Sequence, residues 1–332
     1  MKEYLLNLLI IIISIWLAFM ISVHSDKKRD RNDLYMYQKY YECINHSSDC
    51  KDIIGNPSDV LFSWIVSISK IFIEKYYIFL FLYAFFINYL ILWNIYKLSP
   101  FPLISVLFLL TDFRFYEYSS NILRVGLAEL LLLIIFKWQI IHFNNNKYLV
   151  YKIIPLLAHI STFPALMAPM KRIKISFMLS SLIIIFILIF YFSHIFSFIK
   201  FFLPESILGK YFYYYNLTLI HSSSYSLPLH YISIIFLSIF LLNKIKSTIY
   251  IYAFNIVWFL FIFSFILHLL NLEYRMFDLM PPFLSILLAY HIKYFFTKIK
   301  SFYLKVDIII IIVLLFVLIG FKNIAQILNG IV

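Results

Sequence analysis

Arg124 is the side chain best suited to grip a phosphate. It opens the apolar stretch Asn121-Ile122-Leu123-Arg124-Val125-Gly126-Leu127-Ala128, and a guanidinium holds phosphate or pyrophosphate by two parallel hydrogen bonds at low hydration cost. Gly126 and Ala128 would let a second helix approach closely beside it. The competing reading is an interfacial arginine whose stem lies in lipid while its head reaches the head groups. Arg275, in Leu272-Glu273-Tyr274-Arg275-Met276-Phe277-Asp278, is a second candidate cation; there Glu273 and Asp278 compete as ion-pair partners. His159 has Ser161 and Thr162 close by. Imidazole changes charge near neutral pH, so it can carry a proton, although a lone histidine among apolar residues also serves as a packed, hydrogen-bonded core residue. Asp112, Arg114 and Glu117 form a polar knot between two apolar runs, where they pair with one another or touch a polar ligand. Asp33, Tyr35, Tyr37, Tyr40 and Tyr41 set an acid among aromatic faces, a combination that suits sugar rings. Tyr211, Tyr213, Tyr214 and Tyr215 repeat the aromatic part. For each tyrosine group the alternative is an interfacial belt.

The elements that must position these residues are membrane helices. Of 332 residues, 63% are hydrophobic and 13% charged, far from the roughly 45–50% apolar and 25% charged of a soluble domain. Spanning helices take about 20 apolar residues each, which predicts an all-α polytopic bundle of about ten transmembrane helices. No stretch is long and polar enough for a separate soluble domain, so residues 1–332 form a single transmembrane domain. The net charge of +12 sits in short clusters beside apolar runs and makes no basic face with interleaved aromatics, so it reads as topology information and excludes a nucleic-acid surface. The 37 Phe and 27 Tyr reflect interfacial anchoring and compositional bias more than chemistry.

Basic clusters mark the cytoplasmic side. Here they are Lys147 with Lys152, Lys171-Arg172-Ile173-Lys174, Lys244 with Lys246, and the lysines from Lys293 to Lys305. All can lie inside only if residues 148–170 enter the membrane and return. Pro155, Pro164 and Pro169 interrupt that segment, which predicts a broken, re-entrant hairpin with His159 to Thr162 at its apex. Spans at 4–23, 76–96, 101–113, 121–138, 175–199, 228–242, 247–270, 276–292 and 306–321 then alternate consistently. The first is read as an uncleaved helix, since it lacks a small-x-small cleavage site. The outward segments are 24–59, 112–120, 200–227 and 271–275, and residues 60–73 are too short to cross and suit a half-inserted helix on the outer face. Cys43 and Cys50 are the only cysteines and share the first outward loop; a disulfide there needs an oxidising compartment, and two free thiols are the alternative. No internal repeat, Gly-rich phosphate loop or metal-spaced set of His, Cys and Asp is present in the sequence, so no metal and no cofactor are expected.

With these residues in place, the chain resembles the EpsG-like branch of the Wzy-type bacterial polysaccharide polymerases, which make O-antigen, capsule or exopolysaccharide. Four features carry the likeness. Asp33, Tyr37 and Tyr40 lead through Pro57-Ser58-Asp59 into an apolar run, where the family commonly has Glu-Pro. Arg124-Val125-Gly126-Leu127-Ala128 is similar to Arg-Gln-Gly-Leu-Ala. Leu157-Ala158-His159-Ile160-Ser161 is similar to Ala-x-x-His-x-Ser, and Arg275-Met276-Phe277 to a late Arg-x-x-x-Tyr-Phe. Val125 stands in place of the Gln, and the Glu-Pro and Tyr-Phe pairs are absent.

The resemblance implies a GT-C-like fold in the bacterial cytoplasmic (inner) membrane, multi-pass, with its active site facing outward. It further implies metal-independent glycosyl transfer between two polyprenyl-pyrophosphate-linked oligosaccharides, with a flippase and a chain-length regulator as further partners beside the lipid bilayer. Arg124 and Arg275 would meet the charge of the leaving pyrophosphate, and His159 would receive the acceptor proton. Asp33, Tyr37, Tyr40, Asp112, Arg114, Glu117 and Tyr214 would line the sugar-binding surface. Three other functions share such features. A lipid-linked oligosaccharide flippase or transporter usually shows two related halves; a membrane acyltransferase needs a histidine commonly paired with an acid; an O-antigen-ligase-like glycosyltransferase shares the large outer loop.

Overall fold

The computed structural model describes residues 2–24, 33–43, 60–112, 114–115, 123–142, 151–191, 229–268, 274–299, 301 and 305. Among them every regular element is helical. In chain order these are α1 (Lys2–His24), α2 (Asp33–Cys43), α3 (Val60–Phe72), α4 (Tyr76–Leu98), α5 (Pro102–Thr111), α6 (Leu123–Ile141) and α7 (Ile154–Ala158). A 3-10 turn (Ile160–Thr162) leads to α8 (Phe163–Met167), α9 (Ile175–Phe190), α10 (Leu229–Leu241), α11 (Thr248–His268), α12 (Tyr274–Phe277) and α13 (Pro281–Lys298).

Three stretches of the described residues are long and apolar enough to cross a membrane: Glu3–Ser22, Tyr76–Leu98 and Thr248–Phe265. Shorter apolar helices accompany them, α3, α5, α10 and much of α9. The chain is an integral membrane protein. The expected span at 306–321 lies outside the described residues.

Burial follows helical spacing. On α1, Ile10, Ser14, Leu17, Ala18 and Ile21 are buried against α4, while Leu5, Leu8, Ile12 and Phe19 are exposed. An exposed apolar face of that kind has lipid as its solvent. α4 and α13 are the hubs. α4 packs against α1, α2, α5, α6 and α13, and α13 against α4, α5, α10 and α11. Residues Pro281 to Leu287 of α13 are buried without a break, the pattern of a helix enclosed by protein on every side.

Contacts order the two ends of the bundle. Lys97 at the end of α4 pairs with Glu3 at the start of α1, at 2.6 Å, and Phe101 meets Phe296. Both contacts, with Arg172 Nη1 donating to Asn243 Oδ1 at 3.2 Å, belong to one end. At the other, Tyr76 Oη donates to Leu34 O and Tyr83 Oη to Leu123 O. The start of α6, the end of α5, the start of α10 and the α12–α13 junction share this second end, tied by the pairs described below.

Two expectations need correction. Residues 276–292 are not one helix: α12 stops at Phe277 and α13 begins at Pro281. Pro281 and Pro282 have no N–H to donate, so they fit only a first helical turn. The 24–59 loop also contains a helix, α2, whose Leu34, Tyr37 and Tyr41 are buried at helical spacing. Residues 60–72, expected to form a half-inserted helix, are the helix α3, which buries Phe62 and Val66 and exposes Trp64, Ile68 and Phe72.

Within the expected 148–170 segment, the described residues 151–170 are broken as the prolines predict. Pro155 and Pro164 sit in the first turns of α7 and α8. Between α7 and the 3-10 turn, His159 is extended, at φ −163° and ψ 130°. Backbone carbonyls freed by such breaks must find donors inside an apolar bundle. Thr162 Oγ1 donates to His159 O at 2.9 Å, and Asn255 Nδ2 on α11 donates to Pro169 O at 2.5 Å and Lys171 O at 2.8 Å.

Candidate functional site

Arg124 stands in the first turn of α6, half-buried, and is held by an aromatic stack built from three other helices. Its Nε donates to Tyr37 Oη at 2.8 Å, and its guanidinium carbon lies 5.6 Å from the Tyr37 ring centroid. Tyr37 packs on Phe62 at 5.1 Å, and Phe62 meets Tyr83 edge-on at 5.8 Å. Tyr83 Oη then donates to the Leu123 carbonyl at 2.9 Å, closing the ring of contacts beside Arg124. A planar cation whose edge is fixed by a buried phenol has lost part of its rotamer freedom before any ligand arrives.

A second cluster lies where α5, α10 and the α12–α13 junction meet. Asp112 caps the end of α5, and its Oδ1 accepts from the Arg114 backbone N–H at 2.9 Å. The Arg114 side chain instead pairs with Asp278, Nη1 to Oδ1 at 2.8 Å, and stacks over Phe277 at 5.3 Å. Of the expected knot of Asp112, Arg114 and Glu117, Asp112 holds the Arg114 backbone N–H, while Asp278 receives the guanidinium. His230 Nε2 lies 3.4 Å from the remaining Asp112 oxygen, Oδ2. Tyr231 and Glu129 are buried within electrostatic reach of Asp112 and Asp278, and neither Glu129 oxygen has a hydrogen-bond partner among the described residues.

His159 is buried and turned onto its own chain. Its Nδ1 accepts from the Ser161 backbone N–H at 3.2 Å and lies 2.6 Å from Ser161 Oγ. An Nδ1 that accepts an N–H is unprotonated, which assigns the neutral ring's proton to Nε2. His159 thus caps the 3-10 turn and presents Nε2–H as a donor.

The helices carrying the three sequence-derived catalytic candidates converge. The 3-10 turn after His159 packs against both α6, which carries Arg124, and α12, which carries Arg275. The Arg275 and Asp33 side chains, and all of Glu117, Tyr214 and Cys50, lie outside the described residues. Tyr37 is nearly sealed from solvent and serves Arg124, while Tyr40 on the same helix is half-buried. Cys43 is disulfide-bonded.

His230, Glu129 and Tyr231 were not among the sequence candidates. An acid inside an apolar helix was a legible signal for Glu129; nothing in the sequence joins His230 to Asp112 across 118 positions. Among the described residues no three His, Cys, Asp or Glu side chains are grouped to hold a metal ion.

Comparison with curated proteins and with solved structures finds no match. The profile of the EpsG family does match, over residues 5–330, nearly the whole length that contains the Arg124, His159 and Asp112 clusters. The chain therefore belongs to the EpsG family.

Proposed function

We propose that the protein is a metal-independent membrane glycosyltransferase, a polysaccharide repeat-unit polymerase. It transfers a polyprenyl-pyrophosphate-linked glycan to a hydroxyl of a second lipid-linked repeat unit at the outer face of the bacterial cytoplasmic membrane. EpsG family membership supports a polymerase-like role. The observation that carries the reading further is the meeting of α6, α12 and the His159 turn at one end of the bundle, with Arg124 preset by Tyr37.

The leaving group is a lipid pyrophosphate, and the charge that develops on it needs fixed donors in a site shielded from water. Arg124 supplies one, Arg275 a second, and the His159 Nε2–H a third. This gives His159 a donor's part in place of the proton-accepting part its position alone suggested, because its Nδ1 lone pair already binds Ser161. Tyr40, Asp33 and Tyr214 remain the proposed sugar contacts. The disulfide at Cys43, on the helix that carries Tyr37, favours an oxidising surroundings for this end.

The test is a deletion strain. Cells without the protein should accumulate single repeat units on polyprenyl pyrophosphate that an impermeant lectin reaches in spheroplasts, and restoring the gene should return long chains. Units held on the inner leaflet would identify a flippase. Finished polymer stranded on its lipid carrier would identify a ligase.

A further inference from the structure

We propose that His230, oriented by Asp112, receives the proton of the attacking hydroxyl; this rests on the polymerase reading and names the base within it. The arrangement is a buried carboxylate behind an open imidazole. The Asp112 side chain is 2% exposed and the His230 side chain 54%. Asp112 cannot turn away, because its other oxygen is held by the Arg114 N–H at 2.9 Å. An acid that accepts the Nε2–H keeps the ring's proton there, leaves Nδ1 as the basic nitrogen, and stabilises the imidazolium once it forms. The 3.4 Å separation is of the length that such pairs have before substrate tightens them.

The ring is also clamped. The Tyr231 ring meets it edge-on with centroids 4.7 Å apart, and the Phe108 ring does so at 6.0 Å. The charged and titratable groups around the pair are Asp112 and Arg114 beyond α5, Tyr231 beside it, Asp278 before α13 and Glu129 on α6. Arg114 already pairs with Asp278, and the carboxylate that faces the ring is Asp112.

Position agrees with the chemistry. His230 opens α10 directly after residues 200–227, at the end of the bundle that holds Arg124. Arg114 links the dyad to the clamp: its backbone holds Asp112, and its side chain holds Asp278, three residues after Arg275. His159 cannot do the same work while its Nδ1 binds Ser161.

In the step itself the acceptor O–H bond breaks and its proton passes to His230 Nδ1. The oxygen forms a bond to the anomeric carbon of the donor. The bond from that carbon to the pyrophosphate oxygen breaks, and its electron pair leaves with the lipid pyrophosphate.

The experiment uses the full chain in vesicles with a polyprenyl-pyrophosphate-linked repeat unit, reading polymer and released lipid pyrophosphate. His230→Ala should lower the rate about a hundredfold, the low end for general-base loss. Added imidazole should restore it several-fold, since the side chain removed is more than half exposed. His230→Gln, which keeps a donor for Asp112 but is no base, should be as slow and gain nothing from imidazole. Parental rates in either variant, or His230→Ala activity that imidazole leaves unchanged, would overturn the assignment while the polymerase reading stands. Parental protein that releases no lipid pyrophosphate would overturn both.

Discussion

His230 and His291 sit towards opposite ends of the bundle, and the difference between them shows what makes a membrane histidine reactive. His291 Nε2 lies 3.1 Å from Ser238 Oγ and 3.2 Å from Tyr250 Oη. Both hydroxyls already donate to carbonyls, Ser238 to Ile234 O and Tyr250 to Ser238 O. Nε2 must therefore be the donor, and Nδ1 is left buried without a partner among the described residues. Such a ring is a strut that ties α10, α11 and α13 together. His230 has a carboxylate where His291 has hydroxyls, and is half exposed where His291 is sealed. The same split divides the ends. Polar groups near His291 join helix to helix, as Ser247 does with Tyr290, whereas those near His230 and Arg124 hold charge at the surface of a candidate site.

The comparison breaks outright if the two ends face the other way. In a chain with both native cysteines changed to serine, Leu229→Cys should react with an impermeant maleimide in intact spheroplasts, and Asn243→Cys only after permeabilisation. Leu229 opens α10 and Asn243 lies in the turn just past its last residue, so the contrast is all or none. The reverse pattern would put the Arg124 end in the cytoplasm and remove an outward-facing polymerase.

Next in size is Arg124→Lys. Lysine keeps the charge and loses the two-point fork, so membrane levels should be normal while polymer formation falls roughly a hundredfold, on the order of 3 kcal/mol of transition-state stabilisation. An arginine that only snorkels predicts near-parental polymer, because lysine reaches the interface equally well.

Smaller, and different in kind, is His291→Leu. It leaves two buried hydroxyl oxygens without their donor, a loss of about 1–3 kcal/mol. The variant should unfold at lower temperature in detergent, with activity per folded molecule unchanged; a fall in turnover at full stability would erase the distinction between strut and base. Glu3→Gln, at the exposed pair with Lys97, should change neither stability nor activity measurably, since exposed pairs contribute little.

How much of this was legible in the sequence depended on range. The apolar runs announced membrane helices, and Pro155 and Pro164 announced the break at His159, because both signals are local. α2 was missed: it is an 11-residue helix inside a polar stretch, so the packing of Leu34, Tyr37 and Tyr41 against neighbouring helices did not show. The boundary at Pro281 was obscured by apolar residues on both sides. Arg124 was found because a cation in an apolar helix is expensive. Its phenol partner, 87 positions away, and the carboxylate behind His230 depend on tertiary contacts that no spacing records.

The central claim is that this end of the bundle makes a glycosidic bond and releases a lipid pyrophosphate. The direct measurement is stoichiometry: purified protein in vesicles, a radiolabelled polyprenyl-pyrophosphate repeat unit, and a count of lipid pyrophosphate released against glycosidic bonds formed, with and without a divalent-cation chelator. The account predicts one lipid pyrophosphate per bond, with the rate unchanged by the chelator. Movement of the repeat unit across the bilayer with no lipid pyrophosphate released would contradict it.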